Sequence, residues 1–120
     1  MTEEFPQKMH VEEGVLRTAD GVEVNLWGSN FQLNLYWEYK FRMEHVGLSM
    51  TSETMQAMCD DGFEDMKRMR CDVIRCHLTP ADFTDAEGNL VETMWLDMLG
   101  YMIGKAREHG IYVYITFINH

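Results

Sequence analysis

Hydrophobic and polar positions change period several times along the chain, and each change marks an element. Residues 14–27, GVLRTADGVEVNLW, contain two short β-prone runs on either side of TADG. Asp20-Gly21 is a hairpin turn signal, so a hairpin is expected there. Its second arm runs on through VNLWGSNF as a third extended piece that Gly28 ends. Over 53–70, Met55, Met58, Cys59, Phe63, Met66 and Met69 recur at helical spacing. Asp60-Asp61-Gly62 predicts a break or restart in that helix, with one of the aspartates capping 62–70. Val73–Leu78 reads as a strand stopped by Thr79-Pro80. From Leu90 or Val91 to His109 the pattern is again helical, with Trp95, Leu99, Met102, Ile103 and Ala106 as one stripe. Gly110 stands where a helix-ending glycine belongs. Ile111–Ile118 is a near-unbroken apolar run, the signature of a buried parallel strand.

The order is therefore hairpin, strand, helix, strand, helix, strand. Such alternation predicts α/β architecture with parallel strands joined by crossover helices. A doubly wound sheet and a (β/α)8 barrel both fit, although three strands and two helices do not close a barrel, which takes about 200 residues or more. Residues 1–13 are expected to form a tail. Residues 29–52 form a long loop carrying Phe31, Tyr36, Trp37, Tyr39 and Phe41. Most of these rings are expected to pack on the core, and at least one to stack on a flat ligand such as a sugar ring.

Composition narrows the functional classes. The 120 residues include 20 acidic and 10 basic side chains, for a formal charge of −10. No basic face suited to nucleic acid is visible, and the balance favours a neutral or cationic ligand over a polyanion. No apolar run reaches the roughly 18 residues of a membrane span. The N-terminus MTEEFPQKMHVEEG lacks the basic and apolar regions of a secretory signal, so a cytoplasmic location is expected if that end is complete. Cys59, Cys71 and Cys76 are odd in number, and Cys71, Cys76 and His77 have no zinc-finger spacing. Reduced, buried thiols are expected, with no metal and no cofactor. No GxGxxG or Walker pattern supports a nucleotide site.

The segment CDVIRCHLTP carries the most chemistry. Alternation puts Val73, Arg75 and His77 on one face and Ile74, Cys76 and Leu78 on the other. An arginine buried in mid-sheet requires a carboxylate or a ligand as partner, because an unpaired buried charge is costly.

Five stretches occur in order: GVEVNLWGSNF, FEDMKRMRCDVIR, VIRCHL, TDAEGNLVETMWLDMLGYMIGKAREHG and GIYVYITFIN. Together they resemble the start of a clan-A glycoside hydrolase of the cellulase and mannanase type, family five. Gly28-Ser29-Asn30 matches that family's Gly-x-Asn ending of strand one, Val73-Ile74-Arg75 its arginine-bearing second strand, and His109-Gly110-Ile111 its glycine-led third strand. Asn119 falls where mannanase-like members carry an asparagine. Two positions depart from the pattern. Arg70 stands where a glycine usually precedes strand two, and Ile118 where cellulase-like members have a histidine, which leaves the substrate open.

The resemblance implies that residues 14–120 are the N-terminal portion of a (β/α)8 TIM barrel, hairpin plus strands one to three, truncated after strand three. It implies a retaining enzyme acting on the O-glycosidic bonds of a β-linked polysaccharide or oligosaccharide, with two glutamates about 5 Å apart. Both glutamates would lie beyond residue 120, so the chain alone is expected to be inactive; Glu38, Glu44 and Glu87 are loop or surface acids that do not fill the vacancy. Arg75 would contact the nucleophile carboxylate and hold it ionised. His77, Asn119 and His120 would contact sugar at the mouth, with Asn30 and Trp37 joining from the first loop. The alternative is a non-catalytic carbohydrate-binding or structural α/β module. Uncovered strand edges also predict self-association.

Overall fold

The computed structural model describes residues 5–31 and 51–117. In that part the chain forms β1 (Met9–Glu12), β2 (Val15–Thr18), β3 (Gly28–Asn30), α1 (Ser52–Arg68), β4 (Val73–Leu78), α2 (Met94–Glu108) and β5 (Tyr112–Phe117), with a 3₁₀ turn over Pro80–Asp82. β1 and β2 pair antiparallel with each other alone, while β3, β4 and β5 form a separate parallel sheet in that order.

This arrangement corrects the barrel expectation. The described residues are α/β-like, but they are not the opening portion of a (β/α)8 barrel. A barrel's interior is a packed core dominated by bulky branched side chains. Here the sheet face turned away from the helices carries Asn30, Arg75 and Tyr114, all exposed to water. The hairpin forms its own two-stranded sheet.

The hairpin also differs in place. Its tight turn is Glu13-Gly14, both at positive φ (52° and 77°). Residues expected to be a tail thus supply β1. The turn escaped the sequence reading because glutamate is an uncommon occupant of the left-handed region. The Asp20-Gly21 turn forms as well. Thr18 N–H donates to Val22 O at 2.9 Å and Val24 N–H to Leu16 O at 2.8 Å, which lays residues 22–24 beside β2 as an irregular third arm.

Both helices start on a threonine cap. Thr51 Oγ1 accepts from Thr54 N–H and Thr93 Oγ1 from Leu96 N–H, each at 3.2 Å. Thr93 also donates to Asp82 O at 2.8 Å, tying the α2 start to the 3₁₀ turn. α2 therefore begins at Met94, a turn later than its periodicity suggests, and Leu90 instead forms a bridge with Thr84. α1 runs unbroken past Asp60-Asp61-Gly62, contrary to the expected restart. Gly62 is there for packing: a Cβ on it would lie 2.7 Å from the Phe31 ring. Asp60 is a tie between helices, accepting from Tyr101 Oη at 2.6 Å with Lys105 Nζ at 3.6 Å.

The two helices end alike. In α2, Ile111 N–H reaches Ala106 O at 2.8 Å and Gly110 N–H reaches Arg107 O at 3.2 Å, with Gly110 at φ 66°. In α1, Cys71 N–H reaches Met66 O and Arg70 N–H reaches Lys67 O, both at 3.0 Å, with Arg70 at φ 58°. Both are Schellman motifs. Arg70 takes the glycine position, and the left-handed conformation costs a non-glycine residue roughly 1–2 kcal/mol.

The core lies between the helices and one face of the sheet. Met55, Cys59, Phe63 and Met66 from α1 and Met98, Met102 and Ala106 from α2 enclose Ile74, Cys76 and Leu78 of β4. Met98 takes the inward place the stripe assigned to Ile103, which is 43 % exposed. His109 locks the helix ends together. Its Nδ1 bonds Lys105 O at 2.8 Å and its Nε2 bonds Glu64 Oε1 at 3.0 Å. A carbonyl and a carboxylate only accept, so this pair of partners favours the imidazolium form of the ring, in which both nitrogens donate. The Glu64 bond raises the His109 pKa, and the same bond lowers that of Glu64. A cation at a helix C-terminus is favoured by the helix dipole as well.

Candidate functional site

Strand alternation and register build the site. On β4, Ile74, Cys76 and Leu78 are buried under the helices, while Val73, Arg75 and His77 face the other way. Parallel pairing then aligns residues across strands: Gly28 with Val73 and Tyr112, Asn30 with Arg75 and Tyr114, and His77 with Thr116. Strands stand about 4.8 Å apart, so the row Asn30–Arg75–Tyr114 spans roughly 10 Å. These eight positions include no carboxylate.

Arg75 is exposed, not buried as expected, because among the described residues nothing covers this face. No described carboxylate or acceptor engages its guanidinium. His77 is half-buried and shares a 2.8 Å hydrogen bond between its Nδ1 and Thr116 Oγ1. Asn30 ends β3 and is exposed; the chain continues with Phe31 N–H donating to Arg75 O at 2.9 Å. Structure thus brings Arg75, His77 and Asn30 onto one face. Trp37, Asn119 and His120 lie outside the described residues, as do Tyr36, Tyr39 and Phe41 of the aromatic loop. Phe31, the described ring of that loop, packs on Phe63 with centroids 5.3 Å apart.

A groove of about 700 Å³ opens over the row. Gly28, Asn30, Val73, Arg75 and Tyr114 line it, and Leu16 and Leu26 border it from the hairpin side. Among the described residues Arg75 is the one charged side chain in the lining. Gly28 fixes the floor, because a Cβ on it would stand 1.6 Å from Val73 O. The backbones can approach this closely only without a side chain at that position.

Tyr114 is the residue that sequence reasoning missed. It is 62 % exposed beside Arg75. Thr116, one step further along β5, was missed too. The run Ile111–Ile118 looked apolar throughout, and that hid the polar alternation of Tyr112, Tyr114 and Thr116.

Other chemistry is muted. Cys59, Cys71 and Cys76 are buried and form no disulfide. Burial, reinforced by Asp60, pushes the Cys59 thiol up to about 12, so it is a poor nucleophile. Among the described residues no three of His, Cys, Asp or Glu gather where a metal ion could bind, and no helix is long and apolar enough to cross a membrane. A second hollow, of about 490 Å³, lies at the strands' N-terminal ends near Phe5 and Tyr112, whose rings stand 4.7 Å apart. Asp72 at its border is engaged, accepting from Trp27 N–H at 3.3 Å.

No protein-family model, no curated protein and no solved structure matches the chain. The row on the open sheet face is the chain's own best evidence of a ligand.

Proposed function

We propose that the open face of the β3–β4–β5 sheet binds a β-linked polysaccharide or oligosaccharide, and that the chain belongs to an enzyme acting on O-glycosidic bonds. The observation that carries this reading is the row Asn30–Arg75–Tyr114 in the floor of the groove. Saccharide rings have apolar faces and hydroxyl edges. An exposed tyrosine ring beside an amide and a guanidinium offers a surface for the first and hydrogen bonds for the second. The enzyme class comes from the ordered motifs, Val73-Ile74-Arg75 among them, and supplies the type of ligand.

Titration calorimetry with cello- and manno-oligosaccharides tests the reading. Binding is expected, and Tyr114→Ala should weaken it by about tenfold while the exposed site leaves the fold intact. An absence of heat with every β-linked oligosaccharide would sink the proposal. Cleavage is not expected from the chain by itself. Retaining hydrolysis needs two carboxylates about 5 Å apart, and the eight positions of the face offer none.

A further inference from the structure

We propose that Arg75 binds a carboxylate carried by the saccharide, so that the groove selects a short acidic oligosaccharide containing one hexuronate over its neutral counterpart. This rests on the reading of the open face as a saccharide surface and names the ligand within that class.

The argument begins with charge. Among the described residues Arg75 is the sole charged one lining the groove, and no described acceptor engages its guanidinium. A guanidinium presents paired N–H donors in a planar fork that matches the two oxygens of a carboxylate. A sugar hydroxyl offers the fork neither an opposite charge nor two paired oxygens, so it holds the guanidinium less strongly than a carboxylate does. Among the described residues no carboxylate of the face competes for the fork, and so an incoming one meets the guanidinium directly. Register then supplies the rest of the ligand's contacts. Asn30 flanks Arg75 on one side and Tyr114 on the other, each about 4.8 Å away. A carboxylate on Arg75 therefore places its own sugar ring within reach of the tyrosine face and the asparagine amide.

The rest of the chain limits the ligand's charge. Its formal charge is −10, and exposed charges act over roughly 8 Å at physiological salt. A long polyuronate would meet that field along its length, whereas one carboxylate seated on Arg75 meets mainly the guanidinium. A single hexuronate in a short chain satisfies both conditions.

The test is titration of the full chain with a glucuronate-containing β-linked disaccharide, with its neutral glucose counterpart, and with acetate. The acidic disaccharide should bind at least about tenfold more tightly than the neutral one. Arg75→Gln should weaken acidic binding far more than neutral binding and bring the ratio of the two affinities to about one, and Arg75→Lys should restore only part of the ratio. Should Arg75→Gln fail to fold, the wild-type ratio at rising sodium chloride serves instead, and it should fall toward one. Equal wild-type affinities for the acidic and neutral disaccharides would overturn the inference and leave the saccharide surface standing. Binding of neither disaccharide would overturn the surface itself. Acetate binding as tightly as the acidic disaccharide would show a carboxylate site with no sugar recognition, and would also overturn the proposal.

Discussion

Gly28→Ala is expected to destabilise the chain by about 3 kcal/mol, at the upper end of the cost of overpacking a filled site. The added methyl would stand 1.6 Å from Val73 O and 2.6 Å from its carbonyl carbon. Backbone, unlike a side-chain tip, cannot rotate aside, so β3 must move off β4. Three paired residues hold β3 to the sheet, Gly28 with Val73, Ser29 with Ile74 and Asn30 with Arg75. Their loss would take Asn30 out of the row and should abolish saccharide binding along with the stability. Urea denaturation and calorimetry on the same variant measure both. A variant as stable as the parent would mean that the tight β3–β4 contact does not exist in solution.

The larger stability loss should come from Phe63→Ala, at about 4 kcal/mol. Phe63 is fully buried, and its ring lies 5.3 Å from that of Phe31 and 5.8 Å from that of His109. Removing it leaves a void that Phe31 and His109 border, between the two helices. Domains are typically stable by 5–15 kcal/mol, so this change would consume a large share of the total. Phe63→Leu keeps most of the volume and should cost far less. Equal midpoints for the two variants in chemical denaturation would argue against a packed core at this point.

Much of this architecture was legible from periodicity. The α1 and β4 signals fell where the helix and strand are, because Met55, Cys59, Phe63 and Met66 point inward at helical spacing and Thr79-Pro80 stops β4. The Gly110 ending was legible since its role is local. Elements decided by distant partners were misread. Gly62 looked like a helix break because nothing nearby in sequence reveals that Phe31 lies against it. Met98 replaced Ile103 in the core because the orientation of α2 follows its packing on α1. The barrel expectation failed for a related reason. Strand order and motif spacing carry no information on what covers the second face of the sheet. For the site, Arg75 and His77 could be placed on a common face by counting in twos, whereas their alignment with Asn30 and Tyr114 needed the interstrand register.

β5 carries one further consequence. Its six residues, YVYITF, include no charge, glycine or proline, and among the described residues it pairs on one side only, with β4. Natural edges are usually guarded by charge, proline or cover; among the described residues the outer side of β5 has none of these. Tyr114 belongs both to that edge and to the ligand row. Self-association along that edge would share this residue with ligand occupancy, and thermodynamic reciprocity would bind the two together. Whatever factor a saccharide applies to the dimerisation constant, dimerisation must apply to saccharide affinity. Sedimentation at several ligand concentrations and calorimetry at several protein concentrations should return the same number. A factor of one in both measurements would mean that chains associate through some other surface.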